Sequence, residues 1–338
     1  MSVNNLPKFI KAMLDPSFYP HETEKVQLVQ THISFVLIAG EYAYKVKKPV
    51  DFGFLNFTTL EQREHFCQQE LLLNRRLCPT LYLDVLPITQ TEESFSLSGA
   101  GKTVEFCLKM ARMPEDKMMA KVIQAGELGA KKLDEIVAIL VGFYNKAEGG
   151  EAIQDFGTAK SVAVNVLENF DQTETFIGCE ALSRKQFDSI TSYAKDFLKQ
   201  ESLFNERVAA GKIRDCHGDL YSANICLADQ VYIFDCIEFN ERFRYCDVAS
   251  DVAFLAMDLD YQQLEYLSDY FIDRFIEASN DPDLKKMLNF YKCYRAYVRG
   301  KIGLFTAHSP EVDEATKSLC LEQAKKYFLL AERYAEAK

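Results

Sequence analysis

The sequence contains no apolar run that approaches ~18 residues, so it predicts no membrane-spanning helix. Its first residues lack the basic start, long apolar core and small-residue cleavage site of a signal peptide, and we expect a cytoplasmic protein. An excess of positive charge is also missing, because the formal net charge is −11 at pH 7. Domains that bind nucleic acid usually carry a basic surface, so this balance argues against a nucleic-acid partner.

Closely spaced cysteine pairs are absent as well. Structural zinc sites usually take such pairs, two to four residues apart. The ten cysteines instead include four that recur at ten-residue intervals, Cys216, Cys226, Cys236 and Cys246. Reduced cytosolic thiols therefore fit this chain better than a disulfide framework or a metal cluster.

The composition indicates an ordinary globular protein, and the length suits two domains. The chain has 338 residues, of which 48% are hydrophobic and 26% charged. Three β-rich runs, at 26–30, 33–39 and 42–46, have short connections typical of an antiparallel meander. From Leu128 onward the apolar residues follow a helical period. We expect an α+β fold divided into residues 1–112 and 113–338.

The stretch from His217 to Asn224 carries the clearest chemistry. Asp219 and Asn224 suit a tight catalytic loop, in which an Asp accepts a proton from a substrate hydroxyl and an Asn holds a divalent cation. A short buried strand at 231–234 then leads to Asp235. Mg²⁺ prefers oxygen ligands such as these carboxylate and amide groups. The pattern predicts a phosphoryl-transfer site.

These residues resemble the aminoglycoside phosphotransferase-like family of the protein-kinase-like superfamily, whose loop reads His-Gly-Asp-x₄-Asn before a strand that ends in a metal-binding Asp. The resemblance runs from about residue 26 to 305. It is sharpest for a poorly characterised branch, on the runs 44–54, 234–240, 243–248 and 294–301. Members of that branch are often fused to a C-terminal P-loop kinase domain, which this sequence does not include. The resemblance implies a bilobal protein-kinase-like fold, with a small antiparallel β-rich N-lobe and a larger, mostly helical C-lobe.

The resemblance implies ATP and Mg²⁺ as cofactors and assigns the catalytic and metal-binding residues. Asp219 would face the acceptor, while Asn224 and Asp235 would bind Mg²⁺. His217 belongs to the catalytic set, but we expect it to brace the loop rather than transfer protons. Glu238 is a lower-ranked site residue, either a direct ligand or a neighbour of the ligands.

The candidate nucleotide-binding residues of the N-lobe begin with a lysine on the third β-rich run. Lys45 best matches the strand lysine that contacts nucleotide phosphates in the family, and Lys47, on the same face of the strand, is the alternative. Its partner should lie on the helix that follows Thr59, which forms a capping-box pattern with a Gln three residues later. Glu61, Glu64 and Glu70 are all possible partners, and the resemblance favours Glu70.

The strand at 104–110 should lead into a hinge where backbone groups meet adenine, and this places Met110 and Met113 beside the nucleotide.

Two other motifs match known kinase or nucleotide-binding patterns only by chance, and we call them decoys. The Asp-Phe-Gly run at 51–53 precedes the catalytic loop, whereas the metal-binding tripeptide of protein kinases follows it. The P-loop-like run at 98–103 lacks one required Gly and the following helix, so it predicts a turn between two strands.

Arg295 and Arg299 lie one helical turn apart and suit recognition of a carboxylate or phosphate. They predict a neutral or anionic acceptor. The alternative is that both arginines pair with Asp247, Asp251 or Asp258 and only hold helices together. Asp247 itself should cap a helix and contact the catalytic loop.

The resulting hypothesis is an ATP- and Mg²⁺-dependent kinase that phosphorylates a hydroxyl of a small molecule. A protein-modifying kinase is one alternative, disfavoured because no long activation segment separates the metal-binding Asp from the next helix. A nucleotide-binding scaffold without catalysis is the other, disfavoured by the complete set of polar residues.

Overall fold

A computed structural model describes residues 6–92, 94–309 and 312–337. The contacts divide the chain into two compact units. The first comprises the described residues up to Lys117 together with Tyr232–Glu241, and the second comprises Met118–Val231 and the described residues from Arg242 onward.

The first unit contains a six-stranded antiparallel sheet, ordered β1-β2-β3-β6-β4-β5. Its strands are β1 (Val26–Gln30), β2 (Ser34–Ala39), β3 (Tyr42–Lys47), β4 (Tyr82–Gln90), β5 (Phe95–Leu97) and β6 (Lys102–Ala111). Its helices are α1 (Lys8–Met13) and α2 (Leu60–Asn74), with 3₁₀ turns at Pro16–Phe18 and Glu115–Lys117. The expected meander of the first three strands is confirmed.

The two faces of this sheet carry different chemistry because side chains alternate along a strand. On β3, Tyr44 and Val46 point into an apolar cluster shared with α1. Lys45 and Lys47 therefore point to the opposite face, where α2 packs with Tyr82 of β4. Both lysines are thereby directed towards the helix that carries Glu70.

Helix α2 begins as its sequence predicts. Thr59 accepts a hydrogen bond from the backbone N–H of Gln62, and the Gln62 side chain in turn accepts one from the backbone N–H of Thr59. Residues 98–101 of the P-loop-like run form the turn between β5 and β6, and its last two residues begin β6, so the interpretation as a turn between two strands is confirmed. The Asp51 carboxylate accepts a hydrogen bond from the Gly53 N–H, as in an ordinary surface turn.

The second unit is largely helical. Its longer helices are α4 (Ala130–Lys146), α6 (Ala159–Thr173), α7 (Arg184–Leu198), α8 (Glu201–Ala209), α10 (Val248–Tyr261), α11 (Glu265–Ser279), α12 (Leu284–Ala307) and α13 (Glu314–Glu336). Its short helices are α3 (Met119–Gln124) and α5 (Glu151–Gln154), and α9 (Glu241–Arg244) begins at the last residue of the first unit. Three 3₁₀ turns lie at Asp155–Gly157, Glu174–Phe176 and Ser222–Asn224. The strands are β7 (Ile213–Asp215), β8 (Ile225–Leu227), β9 (Val231–Ile233, which continues into the first unit) and β10 (Tyr245–Asp247, antiparallel to β7).

Helix α10 is the central helix of this unit. Every residue from Val248 to Asp260 is buried, and Asp247 caps the helix by accepting a hydrogen bond from the Ala249 N–H. The predicted capping role of Asp247 is therefore confirmed. None of the helices in the described ranges combines the length and the apolar character that crossing a bilayer requires.

The division of the chain differs from the sequence-based boundary at 112/113. The first unit extends to Lys117 and also takes in Tyr232–Glu241. Tyr232 and Phe234 pack against the cluster of Cys67, Leu71 and Tyr82 in the first unit, which explains why this segment groups with the sheet. Asp235 and Glu238 therefore belong to the same unit as Lys45 and Glu70.

Candidate active site

The first unit brings Lys45, Glu70 and Asp235 into direct contact. Lys45 Nζ lies 2.7 Å from Glu70 Oε1 and 2.6 Å from Asp235 Oδ1. Burial alone would lower the pKa of Lys45, but the Asp235 and Glu70 carboxylates outweigh it and hold that pKa well above its ordinary value. Glu61 and Glu64 are exposed and Glu70 is fully buried, so the structure selects Glu70 as the helix partner.

Lys47 occupies a second ion-pair network beside the first. Its ammonium lies 2.6 Å from Glu70 Oε2 and also donates to Glu238 Oε1. Burial would raise the pKa of Glu70, yet Lys45 and Lys47 together lower it to about 2. The pKa of Glu238 is raised, because burial and the neighbouring Glu70 outweigh the attraction of Lys47. Glu70 is therefore a charged anchor shared by two lysines.

Exposure separates the two lysines. The Lys45 side chain is 15% exposed and that of Lys47 only 1%. The Asp235 side chain, at 42%, is the most exposed member of the cluster. Asp235 is therefore the carboxylate of this cluster that a cation can reach most easily.

The second unit builds the predicted catalytic loop, residues 217–224, around Gly218. This residue has a φ of +87°, a conformation that side chains disfavour, so glycine is needed between His217 and Asp219. The buried His217 ring accepts a hydrogen bond from the Asp219 N–H at 3.2 Å through Nδ1. The Asn224 amide nitrogen donates to the Asp219 backbone carbonyl and to Asp219 Oδ2, at 2.9 and 3.0 Å. These contacts favour the bracing role expected for His217.

Two buried carboxylates of α10 hold this loop by its backbone. Asp251 accepts hydrogen bonds from the N–H groups of His217 and Gly218, at 2.8 and 2.9 Å, and from the Tyr144 hydroxyl. Asp258, two helical turns further on, accepts one from the Ser222 N–H at 2.9 Å.

Among the residues that the structure describes, Asp247 forms no hydrogen bond with this loop, contrary to expectation, and Asp251 makes that contact instead. Asp247 pairs with Arg207, whose guanidinium also contacts Asp281. The sequence named Asp251 and Asp258 only as possible partners of Arg295 and Arg299, and it did not predict their hydrogen bonds to the loop backbone. The available signal was their seven-residue spacing, which places both carboxylates on one side of the helix.

Arg295 and Arg299 have different surroundings. In the described ranges, neither forms a direct ion pair with Asp247, Asp251 or Asp258, so the purely structural alternative is not realised in that form. Arg295 is buried and donates to the backbone carbonyl oxygens of Gly218 and Ser250, at 3.0 and 3.3 Å. These contacts favour a bracing role for Arg295 over acceptor binding.

The Arg299 guanidinium lies 4.7 Å from the ring centroid of Tyr221, a residue of the catalytic loop, and 5.8 Å from that of Tyr327. Burial would lower its pKa, but Tyr221, Tyr327 and Asp219 raise it. Its positive charge therefore acts on Asp219, and within the described ranges no direct ion pair neutralises it.

The segment predicted as a hinge follows β6. Met110 and Met113 both pack against the cluster that contains Tyr82 and Leu108. The Arg112 N–H donates to the Glu41 carbonyl at 2.8 Å, which fixes the backbone between the two methionines.

The residues proposed for Mg²⁺ have the chemistry that this cation requires. Asp235 offers a partly exposed carboxylate. Because the Asn224 amide nitrogen is turned towards Asp219, its carbonyl oxygen is the atom of that side chain suited to a hard cation. Within the described ranges, no group of three or more His, Cys, Asp or Glu side chains forms a further metal-binding cluster.

Comparison with known proteins identifies relatives in mycobacteria. The chain is 32% identical over 279 residues to an uncharacterized protein of Mycobacterium tuberculosis, and equally to one of Mycobacterium bovis. Each match covers 82% of this chain and 54% of the relative, so the chain spans about half the length of the curated relatives it matches. No family model matches the chain.

Several solved structures share the architecture along nearly the whole chain. A choline/ethanolamine kinase family protein from Mesorhizobium loti has a TM-score of 0.51 at 12% identity, over 97% of both chains. Choline kinase from Streptococcus pneumoniae has a TM-score of 0.50 at 14% identity, over 95% of this chain and 98% of its own. An amicoumacin kinase has a TM-score of 0.53 at 10% identity, over 94% and 91%. The chain therefore shares the fold of these structures, and the α+β fold class expected from the sequence is confirmed.

Proposed function

We propose that this protein transfers the γ-phosphate of ATP to a hydroxyl group of a small molecule, with Mg²⁺ as the divalent cation. The observation that carries this proposal is the Lys45–Glu70–Asp235 cluster, in which a fully buried Glu holds a lysine against a partly exposed Asp. The fold supports it, because the similar structures are named as choline/ethanolamine and amicoumacin kinases. The amicoumacin kinase was solved with AMP-PNP, an ATP analogue, and with Ca²⁺. A cytoplasmic location is part of the proposal.

Asp219 would act on the acceptor. Its carboxylate would orient the hydroxyl group and take its proton while the acceptor oxygen forms a bond to the γ-phosphorus. The bond from that phosphorus to the β–γ bridging oxygen breaks, and ADP leaves. General-base assistance of this kind contributes about 10²–10⁴-fold to a rate.

Lys45 would neutralise charge on the nucleotide phosphates, held in place by Glu70. Asp235 and Asn224 would supply the protein ligands of Mg²⁺, which stabilises the charge of the transferring phosphoryl group when bound. The backbone between Met110 and Met113 would receive the adenine ring.

Arg299 supports a neutral or anionic acceptor. Its guanidinium stacks on Tyr221, two residues beyond Asp219, and adds positive charge at that loop. A polycationic acceptor would be repelled there, whereas a carboxylate or phosphate would be attracted. We therefore propose an acceptor without net positive charge. Transfer confined to cationic metabolites would overturn this assignment.

The two alternatives, a protein-modifying kinase and a non-catalytic scaffold, differ from this proposal in what they would do with ATP. A protein-modifying kinase would place the phosphate on a polypeptide, and the short connection between Asp235 and α10 leaves little room for an activation segment. A scaffold would bind ATP without turnover, which the loop built around Asp219 disfavours.

Replacing the proposed metal ligand tests the nucleotide site. Asp235→Asn is expected to weaken MgATP binding at least tenfold, about 1.4 kcal/mol, because a carboxylate is the stronger ligand for a hard cation. The measurement is calorimetric titration with MgATP. Asp51→Asn is the matched control, since this exposed Asp lies in the decoy tripeptide of the same unit, and it should bind normally. Equal affinities for the two variants would remove Asp235 from the metal site.

A further inference from the structure

The turn that follows β9 carries the proposed metal ligand in a strained backbone conformation. Asp235 has a φ of +62°, in the left-handed region that residues with a side chain rarely adopt. Such a conformation persists only when its surroundings hold it, and it is enriched at functional sites. The groups that hold this turn are therefore candidates for a functional role.

Three buried side chains from three different elements hold the turn. The Tyr82 hydroxyl, on β4, accepts a hydrogen bond from the Asp235 N–H at 3.0 Å. Asn74, at the end of α2, accepts one from the Cys236 N–H at 2.9 Å through Oδ1. Lys47, on β3, donates to the Glu238 carboxylate. Tyr82, Asn74 and Lys47 are 0%, 1% and 2% exposed, so water does not compete for these contacts.

Asn74 and Lys47 also contact Glu70, and this joins the turn to the lysine network. The Asn74 amide nitrogen donates to the Glu70 backbone carbonyl at 2.9 Å. Lys47 pairs with the Glu70 carboxylate as well as with Glu238. The backbone of the turn and the charge that anchors Lys45 thus share the same support.

The same contacts separate the roles of the two strand lysines. Lys47 is held between two carboxylates and its side chain is 1% exposed, so no nucleotide phosphate could reach its ammonium. Lys45 keeps 15% of its side chain exposed and contacts Asp235 directly. Lys47 therefore serves the turn and not the nucleotide.

We propose that Tyr82, Asn74 and Lys47 are positioning residues that hold Asp235 ready for its cation, and that Lys47 makes no phosphate contact. This inference rests on the proposed function and deepens it. It predicts that removing one of these anchors weakens the dependence of nucleotide binding on Mg²⁺, while metal-free nucleotide binding is unchanged.

The test compares two isosteric tyrosine variants by calorimetry with ADP, once with saturating Mg²⁺ and once with a chelator. Tyr82→Phe removes the acceptor of the Asp235 N–H. Tyr44→Phe is the matched control, because Tyr44 is equally buried in the same sheet and its hydroxyl is hydrogen-bonded to His21 at 2.9 Å, on the other face. The quantity compared is the ADP affinity with Mg²⁺ divided by the ADP affinity with the chelator. This ratio should fall at least about fivefold in Tyr82→Phe, about 1 kcal/mol, and should stay unchanged in Tyr44→Phe.

A second pair of variants separates the lysines. The double variant Lys47→Met, Glu238→Gln removes both charges of one ion pair, so no charge of that pair is left buried alone. It should lower the same ratio and keep metal-free ADP affinity, whereas Lys45→Met should lower metal-free ADP affinity. Thermal melts of all variants check folding.

Each result has one consequence. Equal ratios in Tyr82→Phe and Tyr44→Phe, with Mg²⁺-dependent binding intact in the unmodified protein, would overturn the inference alone. Loss of metal-free ADP affinity in the Lys47 double variant would overturn the separation of the two lysines, because Lys47 would then support nucleotide binding as Lys45 does. No Mg²⁺-dependent binding by the unmodified protein would overturn the proposed function together with the inference.

Discussion

Asp219→Asn is expected to reduce phosphoryl transfer by about 10²–10⁴-fold, the contribution typical of a general base. The amide cannot accept the acceptor's proton, but it has nearly the same shape and can still meet the Asn224 amide through its oxygen. Nucleotide affinity should stay unchanged, because Asp219 is assigned to the acceptor. The measurement is the transfer rate from labelled ATP, with MgATP affinity determined in parallel.

Asp229→Asn is the control for this experiment, since Asp229 is an exposed carboxylate ten positions later in the same unit. It should transfer phosphate at the rate of the unmodified protein. If Asp219→Asn kept more than about a tenth of the transfer rate, a loss below the range of general-base catalysis, the role of Asp219 would have to be reassigned.

Asp251→Ala is expected to lower the free energy of unfolding by about 3 kcal/mol or more. The substitution leaves three donors without their acceptor, the N–H groups of His217 and Gly218 and the Tyr144 hydroxyl. Each unsatisfied buried donor costs about 1–3 kcal/mol. Urea unfolding followed by circular dichroism measures the change.

Two further variants grade this effect. Tyr144→Phe removes one of the three hydrogen bonds and should lower stability by only about 1 kcal/mol. Asp313→Ala removes an exposed helix N-cap, which accepts a hydrogen bond from the Thr316 N–H, and should cost about 0.5–2 kcal/mol. An Asp251→Ala variant no less stable than Asp313→Ala would show that the loop does not depend on Asp251.

Local chemistry made much of the fold predictable. Thr59 and Gln62 form their capping box, and the turn at 98–101 joins two strands, because both features depend on neighbours in the sequence. The pair of Lys45 and Glu70 was also predictable, since the resemblance links a strand lysine to a helix glutamate, and the two side chains are in contact. The contact of Lys45 with Asp235 was not predicted.

Contacts between distant segments were harder to predict. Nothing near Asp251 in the sequence shows that it accepts from the backbone of His217, and Asp247 was an equally good choice on the same helix. The grouping of Tyr232–Glu241 with the sheet depends on packing against Cys67 and Leu71. Lys47 differs from Lys45 because it pairs with Glu238, which lies 191 positions beyond Lys47 in the sequence.

The most direct measurement of the central claim is transfer of labelled γ-phosphate from ATP to a metabolite extract. The extract is first separated by charge into cationic, neutral and anionic fractions, and each fraction is incubated with the protein, MgATP and, in parallel, the Asp219→Asn variant. We predict Asp219-dependent label in small molecules of the neutral or anionic fraction. Label that appears only on polypeptides, or ATP that is bound but transferred to no fraction, would contradict a small-molecule phosphotransferase.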